Sequence, residues 1–252
     1  YRGLQKHFEN IELRKIMEDQ MFLDCFGCDI DYSLGKNFAD FADQFSKDSR
    51  YRTELYKLRR KFMSHADGLI HADLHTSNIM ASRDKMKVID MEFAFMGPFG
   101  YDLGYLVGNL ISQYCAACFK RFPSEQNRKQ FKAYLLATIK SLIETYMKTF
   151  TLCWEKSVKE RYRGQQGLLQ SILQEVMEDV PGYASMVNWF RSVSEIPYPD
   201  FDIIEDKDAK RNATVLSLMI DWGIMFGRYK YQSADDLIET IIGIEEEFRK
   251  SL

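Results

Sequence analysis

Two short segments constrain this chain more than any other feature: His-Ala-Asp-Leu-His-Thr-Ser-Asn, which begins at residue 71, and Val-Ile-Asp-Met-Glu, which begins at residue 88. The first carries Asp73 and Asn78, and the second carries Asp90 and Glu92. In phosphoryl transfer a carboxylate orients the attacking hydroxyl, while an amide and one or two carboxylates hold magnesium on the phosphates. The spacing therefore predicts two adjacent loops that carry the side chains of a phosphoryl-transfer site.

The pattern H-x-D-x-x-x-x-N, followed by an apolar residue and Asp, resembles the catalytic half of the protein-kinase-like fold, in the small-molecule branch with choline and aminoglycoside kinases. The next residues resemble the 5-methylthioribose kinase family, in which D-x-E-F-A-F, G-P-x-G-[FY]-D-[IL]-G and G-N-L run together. Here these motifs begin at residues 90, 97 and 108. Segments 8–13 and 18–24 also resemble the part of the family that follows the hinge between the lobes.

The resemblance implies a kinase that uses ATP and Mg²⁺ to phosphorylate the 1-hydroxyl of 5-methylthioribose in methionine salvage, and it implies a homodimer. Two other functions stay open. One is a choline or aminoglycoside type kinase, which Asn78 favours because the methylthioribose kinases carry Ser at that position. The other is a kinase-derived lobe that binds a partner or a small molecule without catalysis.

The implied fold is the C-terminal helical lobe of a kinase, mainly α with a small β-hairpin. A kinase N-terminal lobe carries a Gly-rich phosphate loop and a strand lysine, and neither precedes His71, so we expect that lobe to be absent from this chain. The chain 1–252 then forms a single lobe. It divides into post-hinge helices (1–67), catalytic and metal loops (68–104) and a helical bundle (105–252).

Apolar periodicity and turn residues predict the local elements around the two loops. One helix is expected from Phe38 to Met63. Strands are expected at 69–71, 79–81 and 86–89, the last two joined as a hairpin beneath the catalytic loop. The dipeptide Pro181-Gly182 is expected to break a later helix.

Each of the four polar residues has a predicted role and a simpler alternative. Asp73 would orient the acceptor hydroxyl, or else cap a loop turn. Asp90 would be the principal Mg²⁺ ligand, because a carboxylate that ends a buried strand needs a cation. Asn78 would join Asp90 on the metal and nucleotide, or form an Asx-turn. Glu92 would face the metal if the backbone stays extended after Asp90, or lie on the surface.

Three further residues are expected to support the loops without contacting the substrate. His71 and His75 would hydrogen-bond the backbone and hold Asp73 and Asp90 in place. Asp102 would act as the N-cap of the next helix, or it would bond the backbone of the catalytic loop as in kinases; the two roles are compatible.

The substrate side of the site is less determined by the sequence. The family carries Met-Ile-Arg-Arg late in the chain, with the arginine pair at the sugar and phosphate. The nearest match here is Met-Ile-Asp-Trp, which places Asp221 and Trp222 at the arginine positions. They are candidates for substrate binding, with a place in the helix core as the equal alternative.

Composition and cysteine spacing exclude other classes of protein. A net charge of −3 argues against a nucleic-acid surface, and the most apolar stretch (105–119) is shorter than the ~20 residues of a membrane span. Because the first ten residues are polar and resemble no signal peptide, we expect a cytoplasmic protein. Two C-x-x-C spacings, at residues 25 and 115, match a zinc site, but the second lies on an amphipathic helix, which disfavours zinc, and the odd count of five disfavours a disulfide framework.

Overall fold

The computed structural model of the chain describes residues 8–23, 36–193 and 198–252, and within these ranges the fold is mainly helical. The helices are α1 (Ile11–Glu18), α2 (Lys36–Lys47), α3 (Ser49–Ser64), α4 (Tyr101–Phe119), α5 (Glu125–Ser157), α6 (Gln166–Val193), α7 (Pro199–Asp202), α8 (Lys207–Gly227) and α9 (Ala234–Ser251). The strands are β1 (Gly68–Ile70), β2 (Ile79–Ala81), β3 (Met86–Val88) and β4 (Phe95–Gly97).

The predicted hairpin is confirmed, with β2 antiparallel to β3 and Ile79 opposite Val88. The predicted burial of the strand that leads to Asp90 is wrong. All three side chains of β3 are exposed, with Met86 at 69% and Val88 at 43% of full exposure, and Met80 of β2 is exposed at 60%. Asp90 therefore follows an exposed strand and not a buried one.

The strand predicted near residue 70 does not stand alone. β1 pairs with β4 in an antiparallel register that aligns Gly68 with Gly97 and Ile70 with Phe95, and the sequence analysis did not anticipate β4. Because β1 leads into the first loop and β4 follows the second, their pairing brings the two loops to the same end of the molecule.

Two predicted helix boundaries are wrong. The single helix expected from Phe38 to Met63 is two helices, because Asp48 has an extended backbone and accepts hydrogen bonds from the Arg50 and Tyr51 N–H groups at the start of α3. Conversely, α6 continues through Pro181, although proline removes one N–H from the helix.

Tertiary contacts support the turn of α6 that Pro181 interrupts. The Arg228 guanidinium donates to the Glu178 carbonyl oxygen at 3.3 Å, and Leu58 packs closely against Gly182. The proline is thus accommodated inside a well-packed helix and does not end it.

The centre of the lobe is the contact between α4 and α6. A Cβ atom on Gly104 would lie 2.6 Å from Tyr183 Cβ, and one on Gly108 would lie 2.6 Å from the Ala184 carbonyl oxygen. Only glycine allows the two helix backbones to come this close. One buried cluster lies beside α1 and α3, and a second lies between α4, α5, α8 and α9.

The connection between α5 and α6 lies on the surface. Residues 159–167 are exposed, and Gly164 has a left-handed φ of 78°. None of the described helices combines the length and the apolar character that crossing a bilayer requires.

Candidate active site

The catalytic loop that follows β1 is anchored by Asp102. This carboxylate accepts hydrogen bonds from the backbone N–H of His71 at 2.7 Å and of Ala72 at 2.9 Å. Burial raises the pKa of Asp102, and the two N–H bonds oppose that effect. The N-cap of α4 is Gly100 and not Asp102, which lies in the first turn of the helix, so its side chain serves the loop.

His71 links the catalytic loop to the second loop. Its Nε2 lies 2.8 Å from the Ile89 carbonyl oxygen, and its Nδ1 accepts from the Asp73 N–H at 3.3 Å. The neutral tautomer with the proton on Nε2 satisfies both contacts. The His71 side chain thus fixes Ile89, the residue before Asp90, relative to Asp73.

Asp73 lies in a cleft, and the surrounding groups favour its charged form. Burial raises its pKa, but hydrogen-bonding interactions with His75 and Tyr105 outweigh burial, so the net pKa is lowered. His75 Nε2 lies 3.5 Å from the carboxylate. Asp73 is therefore ionised at neutral pH and can accept a hydrogen bond from a substrate hydroxyl.

Asn78 is buried at the junction of the two loops. Its Nδ2 donates to the Asp73 carbonyl oxygen at 3.0 Å, and its own carbonyl oxygen accepts from the Ile89 N–H at 3.0 Å. The Oδ1 atom, which is the oxygen a magnesium ion would use, takes no part in these bonds. Because Asn78 pairs with Ile89, its side chain lies next to the start of the Asp90 loop.

Asp90 and Glu92 are both exposed, and Asp90 has a left-handed φ of 65°. A positive φ in a residue other than glycine is uncommon and clusters at functional sites. It also ends the extended backbone, so the alternation argument that would direct Glu92 to the same side as Asp90 does not hold. The backbone of Glu92 is held by Asn10, whose side chain donates a hydrogen bond to the Glu92 carbonyl oxygen at 2.7 Å.

The donor set fits a magnesium ion that is held jointly with phosphates. Among the described residues no three acidic, histidine or cysteine side chains converge to bind an ion by themselves. Magnesium commonly takes one or two carboxylates together with substrate phosphates and water. The Asn78 amide oxygen with the Asp90 carboxylate is such a partial set, and Glu92 is the third candidate.

The cleft around Asp73 has a volume of about 360 Å³ and a mixed lining. The sequence analysis missed Tyr105, Arg191 and Tyr198. Tyr105 lies one helical turn after Asp102, the aspartate of the second family motif, and that position could have indicated it. No local pattern marks Arg191, which enters the cleft because α6 ends there. The polar side chains of the lining are Gln20, Asp73, His75, Ser77, Tyr105, Arg191 and Tyr198.

Arg191 is held in the cleft by a buried acid and an aromatic ring. Its Nε donates to the Asp200 carboxylate at 2.6 Å, and its Nη2 lies 2.5 Å from the same oxygen. The guanidinium carbon lies 4.4 Å from the centre of the Tyr198 ring. Since Asp200 engages Nε and Nη2, Nη1 is the nitrogen that can bind a ligand.

Comparisons with known proteins agree with this geometry. The model of the Phosphotransferase enzyme family (APH) matches residues 31–142. The methylthioribose kinase of Geobacillus sp. (strain WCH70) is 31% identical over 236 residues, which are 94% of this chain and 56% of that protein. The methylthioribose kinase of Geobacillus thermodenitrificans (strain NG80-2) is 32% identical over 248 residues, 97% of this chain and 59% of that protein. These matches support the assignment of the chain to the methylthioribose kinase family. It spans less than two thirds of the length of these relatives.

Asp221 lies in the core, Trp222 is half-buried against it, and neither is among the residues that line the Asp73 cleft. Asp221 is fully buried, and the Asn188 amide donates to its carboxylate at 2.8 Å. Burial raises the pKa of Asp221 well above its usual range, and the Asn188 bond opposes that effect. The rings of Trp222 and Phe45 pack with their centres 5.1 Å apart. The structure therefore favours the core alternative for both residues.

The cysteines of the second C-x-x-C spacing, Cys115 and Cys118, are buried on α4. Burial raises the pKa of the Cys118 thiol to about 12, which disfavours the thiolate that a metal needs. The cysteines of the first spacing, Cys25 and Cys28, lie outside the described residues. The pair on α4 behaves as small apolar side chains in the core.

Proposed function

We propose that this chain is the catalytic C-terminal lobe of an ATP-dependent kinase that phosphorylates the 1-hydroxyl of 5-methylthioribose, a step of methionine salvage. The observation that supports it most is one hydrogen-bond network. Through Asn78 and His71, that network joins the ionised Asp73 to the loop of Asp90. In this proposal, the network links the carboxylate that orients the hydroxyl to the magnesium site on the neighbouring loop.

Asp73 acts on the acceptor in this proposal. The acceptor hydroxyl donates its hydrogen bond to the Asp73 carboxylate, which orients the oxygen toward the phosphoryl group and takes the proton as the new bond forms. Tyr105 and His75 keep the carboxylate charged. Asp102 holds the backbone beneath it.

Asn78 and Asp90 would hold the magnesium ion, with Glu92 as a further ligand. Bound magnesium neutralises charge on the phosphate oxygens during transfer. The left-handed backbone at Asp90 and the buried position of Asn78 would keep these two ligands in place when no substrate is bound.

The cleft fits a small sugar with an apolar tail. Its apolar wall includes Met17, Met21, Phe93 and Phe190, and thioether and aromatic groups pack well against a methylthio group. Arg191 also lines the cleft, and its Nη1, which Asp200 does not engage, would bind a sugar oxygen. The single Arg191 takes the place, in this proposal, of the arginine pair that the family carries at the positions of Asp221 and Trp222.

The nucleotide would bind against the exposed hairpin. Met86 and Val88 are exposed on one face of the hairpin, beside the metal loop, and a kinase N-terminal lobe with its Gly-rich loop would cover them and the adenine. We propose that such a lobe lies outside this sequence, and that the complete enzyme is a homodimer.

The test is an acceptor screen of the full-length protein with ATP and magnesium, using 5-methylthioribose, choline and an aminoglycoside. We expect 5-methylthioribose to be phosphorylated and Asp73→Asn to lower kcat by about 10² to 10⁴-fold, with nucleotide affinity nearly unchanged. Asp208→Asn, an exposed change outside the lining of the cleft, is the control. Wild-type turnover in Asp73→Asn would refute the catalytic assignment, and phosphorylation of choline or the aminoglycoside alone would refute the substrate.

A further inference from the structure

The Asn10 side chain turns away from its own helix and binds the loop that carries Asp90 and Glu92. Asn10 is the N-cap of α1, with a left-handed φ of 42°. An N-cap asparagine ordinarily accepts a hydrogen bond from the first turn of its helix, and among the described residues Asn10 makes no such bond. Its Nδ2 donates instead to the carbonyl oxygens of Glu92 at 2.7 Å and Ala94 at 3.2 Å.

The metal loop is therefore held at both ends. At its start, the Ile89 carbonyl oxygen contacts His71, and the Ile89 N–H donates to Asn78. At its end, the Asn10 side chain binds two carbonyl groups. Between these anchors lies Asp90 with its left-handed backbone. Since the carboxylate is exposed, backbone anchoring and not burial sets its direction.

Neighbouring contacts fix Asn10 itself. The Phe8 carbonyl oxygen accepts from the Met96 N–H at 3.2 Å, so the segment before α1 runs beside β4. One turn into α1, the Arg14 guanidinium lies 4.7 Å from the centre of the Phe95 ring. The start of α1 is thus attached to β4 and can transmit its position to the loop.

We propose that Asn10 is a positioning residue for the magnesium ligands: it sets the spacing of Asp90 and Glu92 through two backbone carbonyl groups, without contacting the ion. This inference rests on the proposed magnesium-dependent function. Groups that orient metal ligands from behind typically contribute about 10 to 100-fold to metal affinity.

Two substitutions separate loop anchoring from simple helix capping. Asn10→Gly keeps the left-handed backbone and removes both donors. Asn10→Asp keeps the shape but places a carboxylate oxygen against two carbonyl oxygens. Aspartate is the better N-cap of the two, so a capping role makes Asn10→Asp the milder change, whereas a loop-anchoring role makes it the more severe one.

The experiment uses the full-length protein and measures Mn²⁺ binding by electron paramagnetic resonance, with Mn²⁺ alone and with ADP. The magnesium dependence of kcat and KM is measured in parallel. We expect Asn10→Gly to weaken Mn²⁺ binding and raise the magnesium requirement by about 10-fold, Asn10→Asp to do so by more, and kcat at saturating magnesium to change little. Ser124→Gly removes the cap of α5 far from the site and should leave Mn²⁺ binding unchanged.

Wild-type Mn²⁺ affinity in both Asn10 variants would overturn the inference while leaving the proposed function intact. So would a milder effect of Asn10→Asp than of Asn10→Gly. A wild-type protein that binds no Mn²⁺ with or without ADP would contradict the proposed function, and the inference with it.

Discussion

Gly108 offers the sharpest test of the packing that supports the site. In Gly108→Ala the new Cβ would lie 2.6 Å from the Ala184 carbonyl oxygen and 2.8 Å from Val187 Cβ. Both contacts are on α6, and the first is to backbone, which cannot rotate away. Overpacking of this kind typically costs about 1–3 kcal/mol, and a backbone clash falls at the upper end.

Alanine also gains up to about 1 kcal/mol over glycine in helix propensity, so we expect a net loss of about 2 kcal/mol. For a chain of this size that lowers the melting temperature by about 4–8 °C. Gly243→Ala is the matched control, because it is helical and a Cβ there meets nothing within 4 Å. It should raise the melting temperature by about 2–4 °C. Equal shifts of the same sign in calorimetry would refute the close approach of α4 to α6.

Two further predictions concern charge. Asp90→Ala should raise the magnesium requirement more than Glu92→Ala, and the double variant should be less than additive because both carboxylates serve one ion; a magnesium titration in which either variant matches wild type removes that residue from the site. Burial raises the pKa of Asp179 to about 6 against the opposing effect of Lys61, so its stabilising contribution is full below about pH 4 and is lost as the pH rises to about 6. Asp179→Asn should remove this pH dependence of the free energy of unfolding, which is on the order of 3 kcal/mol and is measured by urea unfolding. Glu175→Gln, which removes the other carboxylate that pairs with Lys61, should retain the dependence.

The catalytic loop and the hairpin could be predicted from sequence because local signals specify both. The polar residues 82–85 between two short apolar runs indicate the hairpin turn. Asp73 and Asn78 lie five residues apart on a single loop, so their pattern can be recognised in the sequence itself. β4 escaped prediction because its partner, β1, lies far earlier in the chain, with Leu69 opposite Met96. Pairing over such a separation leaves no periodic trace in so short a strand.

Other features depend on tertiary structure. Pro181 would kink or break an isolated helix, but in the lobe α6 continues through it and packs against Leu58 and Arg228. Arg191 belongs to the cleft only because α6 ends there, and the tetrad of the family aligns with Asp221 and not with Arg191. Asp48 is the exception, since an N-cap signal was present in the sequence and periodicity obscured it.

The exposed connection between α5 and α6 divides the site between two parts of the chain. Asp73, Asn78 and Asp90 precede it, and Arg191 follows it. Loops of this kind tolerate cleavage and circular permutation. Two separately produced pieces, joined again through the contact between α4 and α6, would rebuild the cleft from both sides, so ligand binding in the cleft should return only on reassembly.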